Sequence, residues 1–500
     1  MSTIPYPQAP PVATPQPSVL AKPSTRADQL AQTLLTALLY AAPALIAVHA
    51  ANVSDPDIWW HLRTGEWIVQ HHTIPHTDLY SSATTGQPWA AYSWLFELLT
   101  FQLFHRLGLT GIVAYTAGML VAITAALHHL IKRLQADFSL GVLLTFAACF
   151  SMGRLYTPRS WLFTILFFIL ELNILMQARR TGRIRELFWL PVIFAIWANT
   201  HIQFIDGLVV LCLVFAESLL DRWRSKTPNL ILPLAIGAAL GASLLATLAN
   251  PYGWHLYKVA HDLASQPGVL NKVTELQAIP FRSLADYLVL AFALASAAVL
   301  ARSRRFLPFE TALLVFATFI SFRSQRDVWV VVIAACAILA SRIDISRQPQ
   351  QRLPAFTAPI IVALALLGVL FGFRTLQVNN QRLAPLLAND LPVHAVEFVQ
   401  SHHYSGPVYN DYAWGGYLIW SLRQPVSIDG RAALYGDQRM DRSASTWHGE
   451  PNWNSDPALQ AAGVVIAPIK VPLTQLLRSD SHFQLAYEDK VAAVFIPRNP

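Results

Sequence analysis

Cysteine is scarce in this chain: three in 500 residues, Cys149, Cys212 and Cys336, each inside an apolar run. That excludes a disulfide framework, and the spacing matches no cysteine metal site. Charge is scarce too. Asp, Glu, Lys and Arg make up 13% of the residues, against about 25% in soluble domains, and mean hydropathy is +0.40. An ordinary soluble protein is excluded; with 54% hydrophobic residues the chain reads as a membrane protein. The formal net charge of +7 comes from basic residues between apolar runs, where they read as topology markers. Nothing calls for a nucleic-acid partner.

A spanning helix needs roughly 17 to 25 mostly apolar residues, and about eleven segments qualify or nearly so. They are Leu30 to Val53, Gly111 to Ile131, Phe138 to Met152, Trp161 to Gln177, Leu187 to Trp197, Phe204 to Leu220, Leu230 to Ala249, Leu284 to Ala301, Phe306 to Ile320, Val328 to Ser341 and Ala355 to Phe373. The run Tyr92 to Gly108 carries Glu97 and His105 and is read as lying in the outer interface. With that choice Lys22 and Arg26, Lys132 and Arg133, the RRTGRIR run from Arg179 to Arg185, Arg222 to Lys226, Arg302 to Arg305 and Arg342 to Arg352 all fall on the cytoplasmic side. The expectation is an all-α polytopic membrane protein of about eleven spans with a small C-terminal α/β domain outside. Its parts would be a disordered proline-rich cytoplasmic tail over 1–28, a transmembrane domain over 29–375 with its first external loop at 54–109, and an external domain over 376–500. The tail has no apolar segment at its start, so it does not read as a cleaved signal peptide. Neither inverted halves nor a fixed repeat is visible, which weakens a transporter reading.

With that topology, the external helix ends hold charges that the positive-inside rule does not explain. SDPDIWWHLRTGEW brings Asp55, Asp57, His61, Arg63 and Glu66; GRLYTPRSW brings Arg154 and Arg159; WANTHIQF brings Asn199 and His201; FRSQRD brings Arg323 and Arg326. Charge near hydrocarbon costs about 2.5 to 3.5 kcal/mol per residue, so such a cluster is a functional-site hypothesis by default. Arginine forks match phosphate, and a carboxylate beside them can take a proton from an attacking hydroxyl. Acid plus arginines suggests group transfer from a lipid phosphate.

An apolar first helix, DPDIWWHL, an interfacial helix, a many-helix body and an external C-terminal domain resemble the GT-C class of membrane glycosyltransferases, which includes protein mannosyltransferases, aminoarabinose transferases and oligosaccharyltransferases. DPDIWWHLRTGEWI, WANTHIQF, NPYGW and SIDGR are also similar to segments of uncharacterised bacterial membrane proteins placed near that class. The resemblance implies a polyprenyl-phosphate-linked sugar donor, an unknown acceptor hydroxyl, an inverting reaction on the external face of a bacterial inner membrane, and a catalytic base at Asp55 or Asp57. Mannosyltransferases and aminoarabinose transferases carry adjacent Asp-Glu where this chain has Asp-Pro-Asp, so both aspartates stay candidates.

The plainer readings stand beside these. One aspartate caps the following helix; Asp55, before Pro56, is the natural cap, which favours Asp57 as base. His61, one turn after Asp57, either orients that carboxylate or faces lipid headgroups. Arg154, Arg159, Arg323 and Arg326 bind the donor phosphate or bulk lipid, with His61, Arg63, Glu66, Asn199 and His201 as further substrate contacts. Asp429 and Arg431 in SIDGR form a plain turn or serve the acceptor side. HHTIPH has no established ligand spacing; a divalent metal there, or at Asp55 and Asp57, is left open. A flippase of an anionic lipid-linked substrate and a non-catalytic scaffold with an external binding domain are the alternative functions.

Overall fold

The computed structural model describes residues 25–225, 230–266, 273–343, 353–354 and 356–498. Residues 1–24 of the expected tail and most of the basic run 342–352 lie outside the described residues. The first helix begins at Arg26, inside the range expected for the tail. Thr25 and Asp28 form a reciprocal capping box, which satisfies the first backbone N–H groups and starts α1, Arg26–Ala50.

The next helices in order are α2 (Ile58–His71), α3 (Trp94–Leu107), α4 (Leu109–Leu134), α5 (Phe138–Ser151), α6 (Trp161–Thr181), α7 (Trp189–Thr200), α8 (Phe204–Ser225), α9 (Ile231–Thr247) and α10 (His255–Ala264). Four more long helices follow: Leu284–Ala301, Pro308–Arg323, Val328–Arg342 and Thr357–Thr375. Among the described residues, five helices are long and apolar enough to cross a membrane: Arg26–Ala50, Leu109–Leu134, Trp161–Thr181, Leu284–Ala301 and Thr357–Thr375. The remaining expected spans are helical, but shorter or more charged. The protein is thus a mostly helical multi-pass membrane protein.

Val328–Arg342 is apolar all round and buried over nearly its whole length, as befits the centre of a bundle. It packs against α4, α5, Leu284–Ala301 and Pro308–Arg323, while α1 packs against α4 and Thr357–Thr375. At the bundle end away from the first loop, Arg179 reaches Glu217 at 2.6 Å and Glu310 at 3.1 Å, and Arg342 reaches Glu310 at 2.5 Å. These charges close on one another, which is how ionised groups are tolerated at that depth.

Above the bundle, α2 and α3 lie against each other so closely that a Cβ on Gly65 would overlap the Glu97 carbonyl. The C-terminal part carries a four-stranded sheet in the order β1-β2-β4-β3, where β1 is Val408–Asn410, β2 Val464–Pro468, β3 Phe483–Glu488 and β4 Ala492–Pro497. β1 and β2 run parallel, and the other pairings are antiparallel. The stretch PVSIDG meets the sheet only through isolated bridges: Val426 pairs with Val408 and with Ser81 of the first loop. It is a seam between two parts of the chain, and this seam sets the position of the site below it.

Candidate active site

A cavity of about 1040 Å³ opens where the first loop, the ends of α6, α7 and Pro308–Arg323, α10 and the C-terminal part meet. Asp57, His61, Arg159, His201, Arg323, Arg326, Tyr412, Gly430 and Arg431 are among the residues that line it.

Asp55 is not at the cap position expected for it: it lies two residues earlier, and its Oδ1 accepts from the Asp57 backbone N–H at 3.0 Å, forming an Asx turn. Asp57 occupies the cap position of α2 but makes no side-chain capping bond, so its carboxylate is free to turn elsewhere. Both aspartates turn to Arg159. Arg159 Nε donates to Asp55 at 2.8 Å, and Nη1 pairs with Asp57. The Tyr115 hydroxyl holds the Arg159 carbonyl at 2.9 Å, fixing the loop that carries it. One guanidinium thus serves two carboxylates, leaving a buried surplus of negative charge. Burial accordingly pushes the Asp55 carboxyl up, against the pull of Arg159.

Arg326 sits beside them. Its guanidinium and that of Arg159 both lie near the Trp161 ring, at 5.9 and 5.1 Å from the centroid, and it is 3.6 Å from Glu275. Arg323 lines the cavity and donates to the Ala264 carbonyl of α10 at 3.1 Å. Arg154 does not line it: it is paired with Asp286 and donates to Gln325 at 3.1 Å. The expected four-arginine cluster is therefore three arginines at the cavity and one in the brace behind it. The reason is Asp286, which caps its own helix and also captures Arg154.

His61 does not orient Asp57. Its Nδ1 is 3.0 Å from Oε1 of Glu97 on α3. Burial pushes His61 well down and Glu97 well up, so desolvation favours the uncharged form of each partner. Arg63 and Glu66 pair with each other at 2.5 Å and Glu66 with Arg423; they tie α2 to the C-terminal part and do not line the cavity. Asn199 is a joint as well, accepting from Trp94 Nε1 at 2.6 Å and donating to the Ala195 and Ala249 carbonyls. His201 does line the cavity, with Nδ1 2.8 Å from the Thr164 hydroxyl; burial and Arg326 push it down to about 3. Its ring is an uncharged wall.

Asp429 and Arg431 are more than a turn. Arg431 holds Asp429 through Nε at 2.8 Å and Nη2 at 2.7 Å, and reaches Asp78 of the first loop at 2.6 Å. Burial alone would raise the Asp429 carboxyl, but the Arg431 guanidinium outweighs it and holds it below the usual range. Asp429 stays behind this cluster, whereas Arg431 reaches the cavity wall. Gly430 between them lies on the Asp57 carboxylate, where a Cβ would overlap Oδ1, and a Cβ on Gly416 would overlap the Pro56 carbonyl. The C-terminal part is thus seated directly on Asp-Pro-Asp through two glycines.

Among the described residues no three His, Cys, Asp or Glu side chains are grouped to hold a metal ion. HHTIPH does not gather: the His71 Nδ1 bonds to the Trp67 carbonyl at 2.9 Å, while His76 packs on Tyr252 at 5.1 Å between ring centroids. Sequence reading missed Glu97, Glu275, Tyr412 and Gly430 as cavity residues. Only Glu97 carried a signal, as a lone acid on an apolar helix.

No protein-family model matches the chain, and no curated protein matches it. Among solved structures, an oligosaccharyltransferase of Archaeoglobus fulgidus in the apo form is similar over 89% of this chain and 70% of that chain, with 12% identity and a TM-score of 0.49. The same enzyme in complex with an inhibitory peptide and a dolichol-phosphate gives 12% identity and a TM-score of 0.49 over 88% and 69%. ArnT from Cupriavidus metallidurans bound to undecaprenyl phosphate is similar over 92% and 97% of the two chains, with 14% identity and a TM-score of 0.46.

Proposed function

We propose that this protein is a GT-C type glycosyltransferase that moves a sugar from a polyprenyl-phosphate donor to an acceptor hydroxyl on the external face of the inner membrane. The observation that carries the proposal is the contact of Asp55 and Asp57 with Arg159 at the wall of a cavity that Arg323 and Arg326 also line.

The chemistry follows from what each group can exchange. Asp57 takes the proton of the acceptor hydroxyl. The acceptor oxygen bonds to the anomeric carbon from the face opposite the phosphate, the bond from carbon to phosphate oxygen breaks, and the polyprenyl phosphate leaves with the electron pair. Configuration inverts. Arg159 and Arg326 meet the charge on the leaving phosphate, in a setting where fixed charges act strongly. Arg159 has a double duty: a phosphate that draws its fork away from Asp57 frees that carboxylate for the acceptor, while Asp55 keeps its hold through Nε. Arg323 contributes at the rim, and Arg154 steadies Gln325 next to Arg326. The C-terminal part, seated on the motif through Gly416 and Gly430, presents the acceptor.

The test is transfer from radiolabelled undecaprenyl-phosphate sugars in membranes carrying wild-type protein, Asp57→Asn or Asp55→Asn at matched expression. Loss in Asp57→Asn of about 10²- to 10⁴-fold is the expected result. Transfer that survives Asp57→Asn intact removes it as the base. If wild-type membranes show no transfer from any donor, the transferase reading fails, and an anionic-lipid flippase or a scaffold takes its place.

A further inference from the structure

One wall of the cavity has no task in the transfer chemistry above. A turn beyond Asp57, His61 and Glu97 are paired at 3.0 Å and are 4% and 1% exposed. Ser93, which is 2% exposed, lies one turn before Glu97 on the same face of α3, since the Glu97 backbone N–H donates to its carbonyl at 3.0 Å. Three polar atoms here are buried without a hydrogen-bond partner among the described residues: Oε2 of Glu97, Oγ of Ser93 and Nε1 of Trp60. All four residues line the cavity. Buried polar atoms are ordinarily satisfied, so three orphans on residues of one cavity wall call for hydrogen-bond partners that the described residues do not supply.

The chemistry of that ligand is constrained. A carboxyl oxygen, a hydroxyl and an indole N–H ask for groups that both donate and accept, which is what sugar hydroxyls do. Trp60 and Trp89, with ring centroids 6.2 Å apart and both at the cavity, add apolar faces against which the C–H face of a pyranose or furanose packs. An anion finds no free cation here, because Arg431 is committed to Asp78 and Asp429.

We propose that Trp60, His61, Ser93 and Glu97 form a subsite for a neutral sugar ring, with Ser93 and Glu97 holding its hydroxyls. The proposal rests on the glycosyltransferase reading for the source of the ring, which belongs either to the donor lipid or to the acceptor glycan.

Binding to purified full-length protein in nanodiscs, followed by tryptophan fluorescence, separates these. The probes are undecaprenyl phosphate alone, undecaprenyl phosphate carrying glucose, mannose or arabinose, and the methyl glycosides of those sugars added to protein already loaded with undecaprenyl phosphate. If the ring is the donor's, at least one glycosylated lipid binds tighter than undecaprenyl phosphate. Ser93→Ala and Glu97→Ala then each erase about tenfold of that gain, the value of one or two hydrogen bonds, and leave undecaprenyl phosphate binding unchanged. If the ring is the acceptor's, the same loss appears with a methyl glycoside. Ser93→Ala deletes a group without a partner, so it folds whatever becomes of Glu97→Ala. Sugar binding that is absent from the wild type for every probe, or unchanged in Ser93→Ala, overturns the subsite. Sugar-dependent binding without any transfer sinks the transferase reading alone; transfer with unchanged binding in both variants sinks the subsite alone.

Discussion

Gly430 lies on the carboxylate of Asp57, leaving no room for a side chain between the C-terminal part and the first loop. Since the backbone at Gly430 is not in the left-handed region, alanine is conformationally acceptable there, and the first atoms its methyl group meets are those of the Asp57 carboxylate. Gly430→Ala should therefore fold with nearly wild-type thermal stability yet lose about 100-fold in transfer, the cost of displacing a catalytic group by about 1 Å. Steady-state transfer at saturating donor, set beside a thermal unfolding curve, checks this. Equal losses in stability and transfer would mean that the methyl group unseats the whole C-terminal part.

Arg431 bonds to Asp429 and Asp78 while 3% of its side chain is exposed. Removing one partner of a buried pair strands the other charges, at about 3 to 5 kcal/mol. Arg431→Ala should release the C-terminal part, visible as new limited-proteolysis sites after Thr375 and a lower unfolding temperature. Arg431→Lys should rescue little, since an ammonium cannot reproduce the fork on Asp429. Acid attacks the same joint. Asp429 has a folded pKa below its unfolded value of about 3.9, so its contribution is complete above that value and fades as pH falls through the folded pKa. Its loss should appear only below about pH 4.

Arg423 and Glu66 provide the contrast. They also join the C-terminal part to α2, but the Arg423 side chain is 40% exposed. Exposed pairs are worth about 0 to 1 kcal/mol, so Arg423→Ala should leave unfolding temperature and transfer nearly unchanged. A large loss would show that the guanidinium stacking on Trp420, 4.6 Å from the ring centroid, holds the joint instead.

These cases also show what a sequence can and cannot reveal about such a site. Asp55, Asp57 and Arg159 stand out in the sequence because charge is rare in an apolar chain, and each charge at a helix end demands a reason. Their mutual contact is invisible there, because it depends on how α6 enters the bundle about a hundred residues away from the loop. The small C-terminal sheet was legible only as an α/β domain, without its strand order. The fate of PVSIDG was not, since its partner Ser81 belongs to the first loop. Arg154 misled for a similar reason: Asp286 reads as a helix cap, and nothing local says that it also captures an arginine. Gly430 gave no signal, for a DG turn looks the same whether or not a carboxylate lies beneath it.

Glu97 offers a prediction whose sign depends on burial. Its folded pKa is raised by desolvation, so the protonated form is favoured in the fold. Its stabilising effect is complete below the unfolded pKa of about 4.3 and is lost as pH rises toward the folded value. Glu97→Gln has no such loss. The difference in unfolding temperature, variant minus wild type, should therefore grow as pH is raised from about 4.5, and a difference that is flat across pH 4.5 to 8 would contradict the neutral pairing with His61. His61 acts in the opposite direction. Its folded pKa is lowered, so its contribution is intact above about 6.5 and declines as pH falls. The two limbs overlap between about pH 4.5 and 6.5, and only the variant lacking Glu97 tells them apart: in Glu97→Gln the acid-side decline of His61 persists while the alkaline-side loss disappears.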